Sequence, residues 1–450
     1  MLDLKKWLLL AGYLVCVILL ALIHEPWLDE LHAWVMARDM SLTELWSAMK
    51  VEGHFCLWFW ILMPFAKAGL GVYWLQIISI AFMVVAAWLL VFKTDFSIIA
   101  KVAILLSFPM VYQFPVISRC YALIPPILFG IALCYKDLDK NKWLFAVLVG
   151  LLAHTHVYME GMVLALFLVY SHEMIFPKYR ENLLGMADFG PLAVIVILVL
   201  IAFLQVARNP SSPVFYYLGN SIIIPPVAKG IQPTASYLFK GYSVIPSDLF
   251  KTGVKEAVTY TLAFLPMFAL SIALFFLFTN TGRLIATISI GWQVLLSLFV
   301  FSFGNQRVYL PFFIILTILI MIRLSDKRIN GLIIGLCILA SISGYLSHIR
   351  NDITSTYASF KPLAKAIENN VPVSETIYSI DFGGDAILAY LTEPNRQFVP
   401  SPLDSIQNDT FYVISDRRWF DGFDAEYIYD GADSFRNKFS LLKLRKLNGE

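Results

Sequence analysis

Apolar runs separated by short polar stretches recur from the N-terminus to about residue 347, at 7–23, 55–70, 72–92, 97–116, 120–135, 143–160, 161–177, 189–207, 257–279, 284–303, 308–323 and 329–347. A helix needs about 20 consecutive apolar residues to cross a bilayer, so the pattern predicts an all-α polytopic membrane protein with about 11–13 transmembrane helices over 1–347. From His348 to Glu450 the pattern changes, and the longest apolar run is Ala386 to Leu391. A helical stretch at 357–369, strand-like pieces at 376–380, 410–414 and 426–429, and a helix near 385–391 predict a small α/β domain over 348–450.

The basic residues orient these runs. Lys5 and Lys6 precede the first run, which has no small-residue cleavage site after it and reads as a helix that stays in place. Lys and Arg gather on the cytoplasmic side of membrane proteins. Placing Lys5–Lys6, Lys93 with Lys101, Lys136–Lys142, Lys178 with Arg180, Arg283 and Arg323–Arg328 inside gives a cytoplasmic N-terminus. Residues 24–54, the turns near 114–119 and 154–156, the loop 208–255 and everything after 347 then lie outside, in or beyond the plasma (inner) membrane. Two crossings between 55 and 92 conflict with Lys93 inside; the 55–70 run, with Pro64 and Lys67, is tilted, re-entrant or continuous with its neighbour. The loop 208–255 carries six prolines and several aromatics, suited to an interfacial belt or to covering a substrate.

Composition narrows the class. Hydrophobic residues make up 59% and charged ones 15%, against about 25% charged in soluble domains. A net charge of +2, without a basic aromatic stretch, gives no basis for nucleic-acid binding. The five cysteines form no CxxC pair and none lies after residue 347, so the C-terminal domain has no disulfide framework.

The strongest chemical signal follows the first run: His24-Glu25-Pro26-Trp27-Leu28-Asp29-Glu30-Leu31-His32. Pro26 suits a first helical position, and Leu28, Leu31 and Val35 recur at helical spacing, which predicts an amphipathic helix in the membrane surface. Ser41-Leu42-Thr43-Glu44 is a capping box for a second helix. Asp29 and Glu30 sit near the positive end of the first helix dipole, which favours ionised carboxylates; helix-start acids with no further role would look the same. His54, Arg119, His154, His156 and Arg307 fall on the same predicted face, where ionisable groups at the membrane carry function by default.

With these residues in place, the sequence resembles the polytopic glycosyltransferases of the GT-C fold, in the branch of the protein O-mannosyltransferases and lipid A aminoarabinose transferases. Asp29-Glu30 stands where that family has an acidic residue or Asp-Glu pair. Gly53-His54-Phe55-Cys56-Leu57-Trp58 stands where the family has a His-Pro-Pro-Leu-Tyr-like sequence, without its Pro-Pro. Ser118-Arg119-Cys120-Tyr121-Ala122-Leu123, His154-Thr155-His156 and Gln306-Arg307-Val308-Tyr309-Leu310-Pro311 are similar to later family segments. A second acidic residue found in many relatives is absent between Gln113 and Leu133.

The resemblance implies transfer of a sugar from a polyprenyl-phosphate carrier to a glycan, lipid or protein acceptor at the outer face. It makes Asp29 the general base, with Glu30 in support, and Arg119 and Arg307 the cations for the phosphate. Tyr121 and the histidines His54, His154 and His156 become substrate-binding candidates. Asp29 and His156 are the candidate ligands of a divalent metal (Mg, Mn or Zn). A transporter or flippase, or a polymerase, of lipid-linked saccharides is the competing class; no internal repeat supports the transporter.

Overall fold

The computed structural model describes residues 2–52, 54–180, 186–206, 275–299, 309–322, 327–354, 360–380, 384–391, 398–400, 403, 406–415, 420, 422–432 and 438–447. The loop 208–255, most of the run 257–279 and Arg307 lie outside them. Two compact units form: Met1–Leu20, Leu42–Trp58 and Gln76–Ile349 make the first, and Ala21–Ser41, Phe59–Leu75 and Arg350–Glu450 the second.

The first unit is helical. Its elements include α1 (Leu2–Ile23), which continues into the second unit, α3 (Leu42–Glu52), α5 (Trp74–Lys93), α6 (Ile98–Leu105), α7 (Ile124–Tyr135), α8 (Leu138–Ala153) and α9 (Glu160–Tyr170). Further helices cover Met186–Val206, Asn280–Phe299, Leu310–Met321 and Lys327–Leu339. Among the described residues, three stretches are long and apolar enough to cross a membrane: Leu4–Ile23, Trp74–Lys93 and Asp188–Val206. Only 17% of the first is buried, and Trp7, Leu8, Leu19 and Leu22 stand exposed on it. An apolar helix uncovered in this way belongs in lipid. Every residue of Leu310–Met321, by contrast, is buried, as an all-round apolar helix requires when it runs through a core.

Several predicted runs are broken rather than continuous. The run 97–116 contains α6, then a π-helical turn at Pro109–Gln113. Pro109 has no N–H to continue the α-helical ladder, and the preceding Phe108 N–H donates to Ser341 Oγ at 2.9 Å. Tyr13 of α1 donates to the Met110 carbonyl in that turn at 2.8 Å. The run 120–135 opens as a 3-10 turn, Cys120–Leu123, before α7 begins with Pro125 and Pro126 in its first turn. The run 161–177 passes from α9 into a second π turn, Ser171–Ile175.

The second unit holds α2 (Leu28–Asp39), most of α4 (Leu57–Lys67), a helix at Phe360–Asn370 and a five-stranded sheet. The strands are β1 (Ile377–Ile380), β2 (Phe398–Pro400), β3 (Thr410–Ser415), β4 (Phe423–Ala432) and β5 (Lys438–Lys446), in the order β2-β1-β3-β5-β4. β1 pairs in parallel with β2 and β3, while β5 runs antiparallel between β3 and β4, with Val413 opposite Leu442. Phe411, Val413, Leu442 and Leu444 form the core with Ile406 and Phe420. Helix Phe360–Asn370 buries Phe360, Leu363, Ala364 and Ile367, one stripe at helical spacing. The strands predicted at 376–380, 410–414 and 426–429 lie in β1, β3 and β4. Sequence pattern alone left out β2 and β5, and the helix expected near 385–391 is a 3-10 turn, Gly384–Ala389.

Candidate functional site

In the second unit the site begins at the start of α2. Trp27, with extended backbone, precedes the helix, and its carbonyl accepts the N–H groups of Glu30 (2.9 Å) and Leu31 (3.0 Å). The Glu30 carboxylate reaches back to accept the Trp27 N–H at 3.1 Å, the reciprocal half of a capping box. The helix therefore opens at Leu28, two residues later than Pro26 suggests.

Glu30 and Asp29 occupy different environments. Glu30 is fully buried, and its Oε2 lies 3.2 Å from His24 Nε2. The other ring nitrogen of His24, Nδ1, lies 3.2 Å from Asp352 Oδ2. Burial by itself would lower the His24 pKa, but the charges and hydrogen bonds of Glu30 and Asp352 outweigh it and push it up to about 9. Asp29, the residue before, is half-buried at the second helical position. The rest of α2 is more enclosed than an amphipathic surface helix: Leu31, Ala33, Trp34, Val35, Met36 and Ala37 are all buried. Arg38 adds a donor to the Leu388 carbonyl at 3.0 Å, which ties the end of α2 to the Gly384–Ala389 turn.

In the first unit, residues 54–56 and 154–156 form a polar cluster. Gln205, fully buried near the end of the Met186–Val206 helix, accepts the Cys56 N–H on Oε1 at 2.8 Å. A backbone N–H can only donate, so this bond sets the amide orientation and turns Nε2 toward His154 Nδ1, 2.9 Å away. His154 must accept there, which leaves its proton on Nε2. His156 is held in the same tautomer by a different bond: its Nδ1 accepts the Tyr158 N–H at 3.2 Å. Its Nε2–H therefore faces the Tyr121 hydroxyl at 3.0 Å.

Rings complete the arrangement. Tyr121 and His156 stack at 4.9 Å, His54 lies 5.8 Å from His156, and Phe55 lies 6.4 Å from His154. The Arg119 guanidinium stands 5.7 Å over the Tyr121 ring, within cation–π range. His154 closes α8, and His156 is extended before the 3-10 turn Val157–Met159. Two histidines at i and i+2 would not share one face of a helix, but the chain between His154 and His156 is not helical. Trp292 steadies this turn through its indole N–H to the Val157 carbonyl at 2.9 Å.

The structure thus brings His54, Arg119, Tyr121, His154 and His156 together in the first unit, and places Asp29 and Glu30 in the second. Arg307 lies outside the described residues. Sequence reasoning missed Gln205, His24 and Asp352. Gln205 had a legible signal: it is the one polar side chain after Asp188 in the apolar stretch to Val206, and polar groups in such segments are costly. Asp29 and His156, the candidate ligands of a divalent metal, belong to the second and the first unit respectively. Among the described residues, no group of three or more His, Cys, Asp or Glu side chains converges. Both ring nitrogens of His156 are also engaged by Tyr158 and Tyr121.

The helices and the five-stranded mixed sheet have the GT-C fold. The solved structure of ArnT from Cupriavidus metallidurans, bound to undecaprenyl phosphate, matches 97% of this chain and 97% of its own, with a TM-score of 0.53 and 13% sequence identity. At that identity the likeness shows the fold. No protein-family model and no curated protein matches the sequence.

Proposed function

We propose that this protein is a membrane glycosyltransferase that moves a sugar from a polyprenyl-phosphate carrier to a glycan, lipid or protein acceptor at the extracytoplasmic face. The observation that carries this reading is the ArnT-like fold over nearly the whole chain, in a protein whose first loop presents an acidic pair at a helix start. ArnT was solved with undecaprenyl phosphate, and that carrier class is taken here for the donor. The N-terminus is cytoplasmic, and α2 and the sheet-bearing region are outside, following the distribution of Lys and Arg.

In the reaction, an acceptor oxygen attacks the anomeric carbon as the bond from that carbon to the phosphate oxygen breaks. The phosphate leaves with the bonding electrons, and the acceptor proton passes to a base. Asp29 is assigned as that base: it is half-buried and its neighbour Glu30 is already committed to His24 and the Trp27 N–H. Charge developing on the lipid phosphate calls for a cation, and guanidinium groups suit it through paired N–H donors. Arg119, over Tyr121, and Arg307 are assigned that role. His54, Tyr121, His154 and His156 are assigned to substrate positioning.

The test is binding and turnover of undecaprenyl-phosphate-linked sugars by the purified protein, wild type beside Asp29→Asn. Saturable binding with transfer or slow sugar release, lost in the variant while binding persists, supports the reading. Binding without turnover in either protein favours a transporter. Normal turnover by Asp29→Asn sinks the role of Asp29.

A further inference from the structure

The start of α2 is tied to a residue far along the chain. His24, the first residue after α1, sits between Glu30 and Asp352 with 3.2 Å to each carboxylate, and all three side chains are shut off from solvent. Asp352 is 328 residues from His24 and belongs to the short helix Arg350–Thr354 that leads into the sheet-bearing region. Ionised carboxylates only accept hydrogen bonds, so an imidazole facing one at each nitrogen donates through both and is a cation. The same Glu30 oxygen that meets His24 also accepts the Trp27 N–H that opens α2. The links are therefore continuous: Asp352 to His24, His24 to Glu30, Glu30 to the first turn of α2, and that turn to Asp29.

We propose that His24 and Asp352 are positioning residues, a buried ionic clamp that holds the first turn of α2 through Glu30 and so sets the place of the Asp29 carboxylate. This rests on the reading of Asp29 as the base. It changes the part played by the acidic pair. Glu30 acts as the anchor and Asp29 as the group that meets substrate, a division the adjacent letters of the sequence do not reveal. It also gives the C-terminal region a task in the reaction, since Asp352 lies at its start. A carboxylate displaced by about 1 Å can lose about 100-fold in rate even where nothing unfolds, so a clamp of this kind acts on turnover more than on binding.

The experiment uses the full-length protein in lipid nanodiscs as wild type, His24→Gln and the near-isosteric Asp352→Asn. Hydrogen exchange over 24–35 reads the clamp directly. Both variants are expected to exchange at least about 10-fold faster there, with α8 unchanged. Turnover of an undecaprenyl-phosphate-linked sugar is expected to fall about 10- to 100-fold in kcat, with KM and undecaprenyl phosphate binding within about 2-fold. Unchanged exchange in both variants overturns the clamp, and so does faster exchange with unaltered kcat. If His24→Gln does not fold, Asp352→Asn alone decides, because it keeps the shape while removing the charge and turning one acceptor oxygen into a donor. Asp29→Asn, run alongside, separates the two readings. Loss of turnover there with wild-type kcat in Asp352→Asn removes the clamp and leaves the base standing, whereas normal turnover in Asp29→Asn removes the base and, with it, the positioning role.

Discussion

Replacing Gln205 by Leu tests whether the polar cluster of the first unit holds together as described. The substitution keeps the side-chain size close but removes both partners that Gln205 supplies, to the Cys56 N–H at 2.8 Å and to His154 Nδ1 at 2.9 Å. A buried polar group left without a partner costs about 1–3 kcal/mol. His154 can recover part of its share by turning or changing tautomer, whereas the Cys56 N–H is fixed in the backbone and cannot. The expected loss is therefore about 1–5 kcal/mol, with the Cys56 contribution as its floor. In a thermal unfolding scan in detergent this should lower the midpoint by on the order of 5 °C. Gln205→Glu is the companion. One carboxylate oxygen still accepts from Cys56, and the other demands a proton on His154 Nδ1, so histidine nitrogen NMR should show the His154 proton moving from Nε2 to Nδ1. A midpoint unchanged in Gln205→Leu, or a His154 proton already on Nδ1 in the wild type, would refute the bonding derived above.

Other expectations are as specific. The raised pKa of His24 contributes stability that is fully present below its ordinary value of 6.5 and is lost as pH climbs through about 9; melts between pH 6 and 9.5 should lose stability in the wild type and show a flatter dependence in His24→Gln. Tyr121→Phe keeps the stack on His156 and removes the hydroxyl 3.0 Å from its Nε2, so stability should change by about 1 kcal/mol or less while transfer kinetics shift measurably. Gly161→Ala would put a Cβ 2.3 Å from Trp292 Cβ and 3.1 Å from the Ile288 carbonyl, neither a flexible side-chain end. It should cost about 1–3 kcal/mol, read as a lower melting midpoint, by prising α9 from the Asn280–Phe299 helix that steadies the Val157 turn.

What the sequence by itself determined was whatever depends on near neighbours. Apolar runs of membrane length predicted α1, α5 and the Met186–Val206 helix, because the solvent preference of a helix is the sum of its own side chains. Pro26, with Asp29 and Glu30 behind it, marked a helix start, although it drew the reading two residues too early. The residues His54, Arg119, His154 and His156 stood out because ionisable groups beside apolar runs are costly without a purpose, and Tyr121 through the family resemblance of its segment.

Only the tertiary structure decided which polar group meets which. Asp29 and Glu30 are adjacent letters, and it took Asp352, hundreds of residues away, to separate a buried anchor from a half-buried carboxylate. Gln205 drew no reading in its apolar helix, and only the fold sets Cys56 and His154 against its amide. The breaks at Pro109–Gln113 and Ser171–Ile175 lie inside stretches whose mean hydropathy reads as one run, although Pro109 and Ser171-His172-Glu173 stand in them, since hydrophobicity reports burial and says little about backbone path. β5 was missed because its place between β3 and β4 depends on partners that flank it only after the chain has folded. Hydrophobic burial is non-directional and can be summed along a chain, whereas a hydrogen bond or an ion pair requires two particular groups at one distance. That is why the elements were legible from the sequence and the wiring of the site was not.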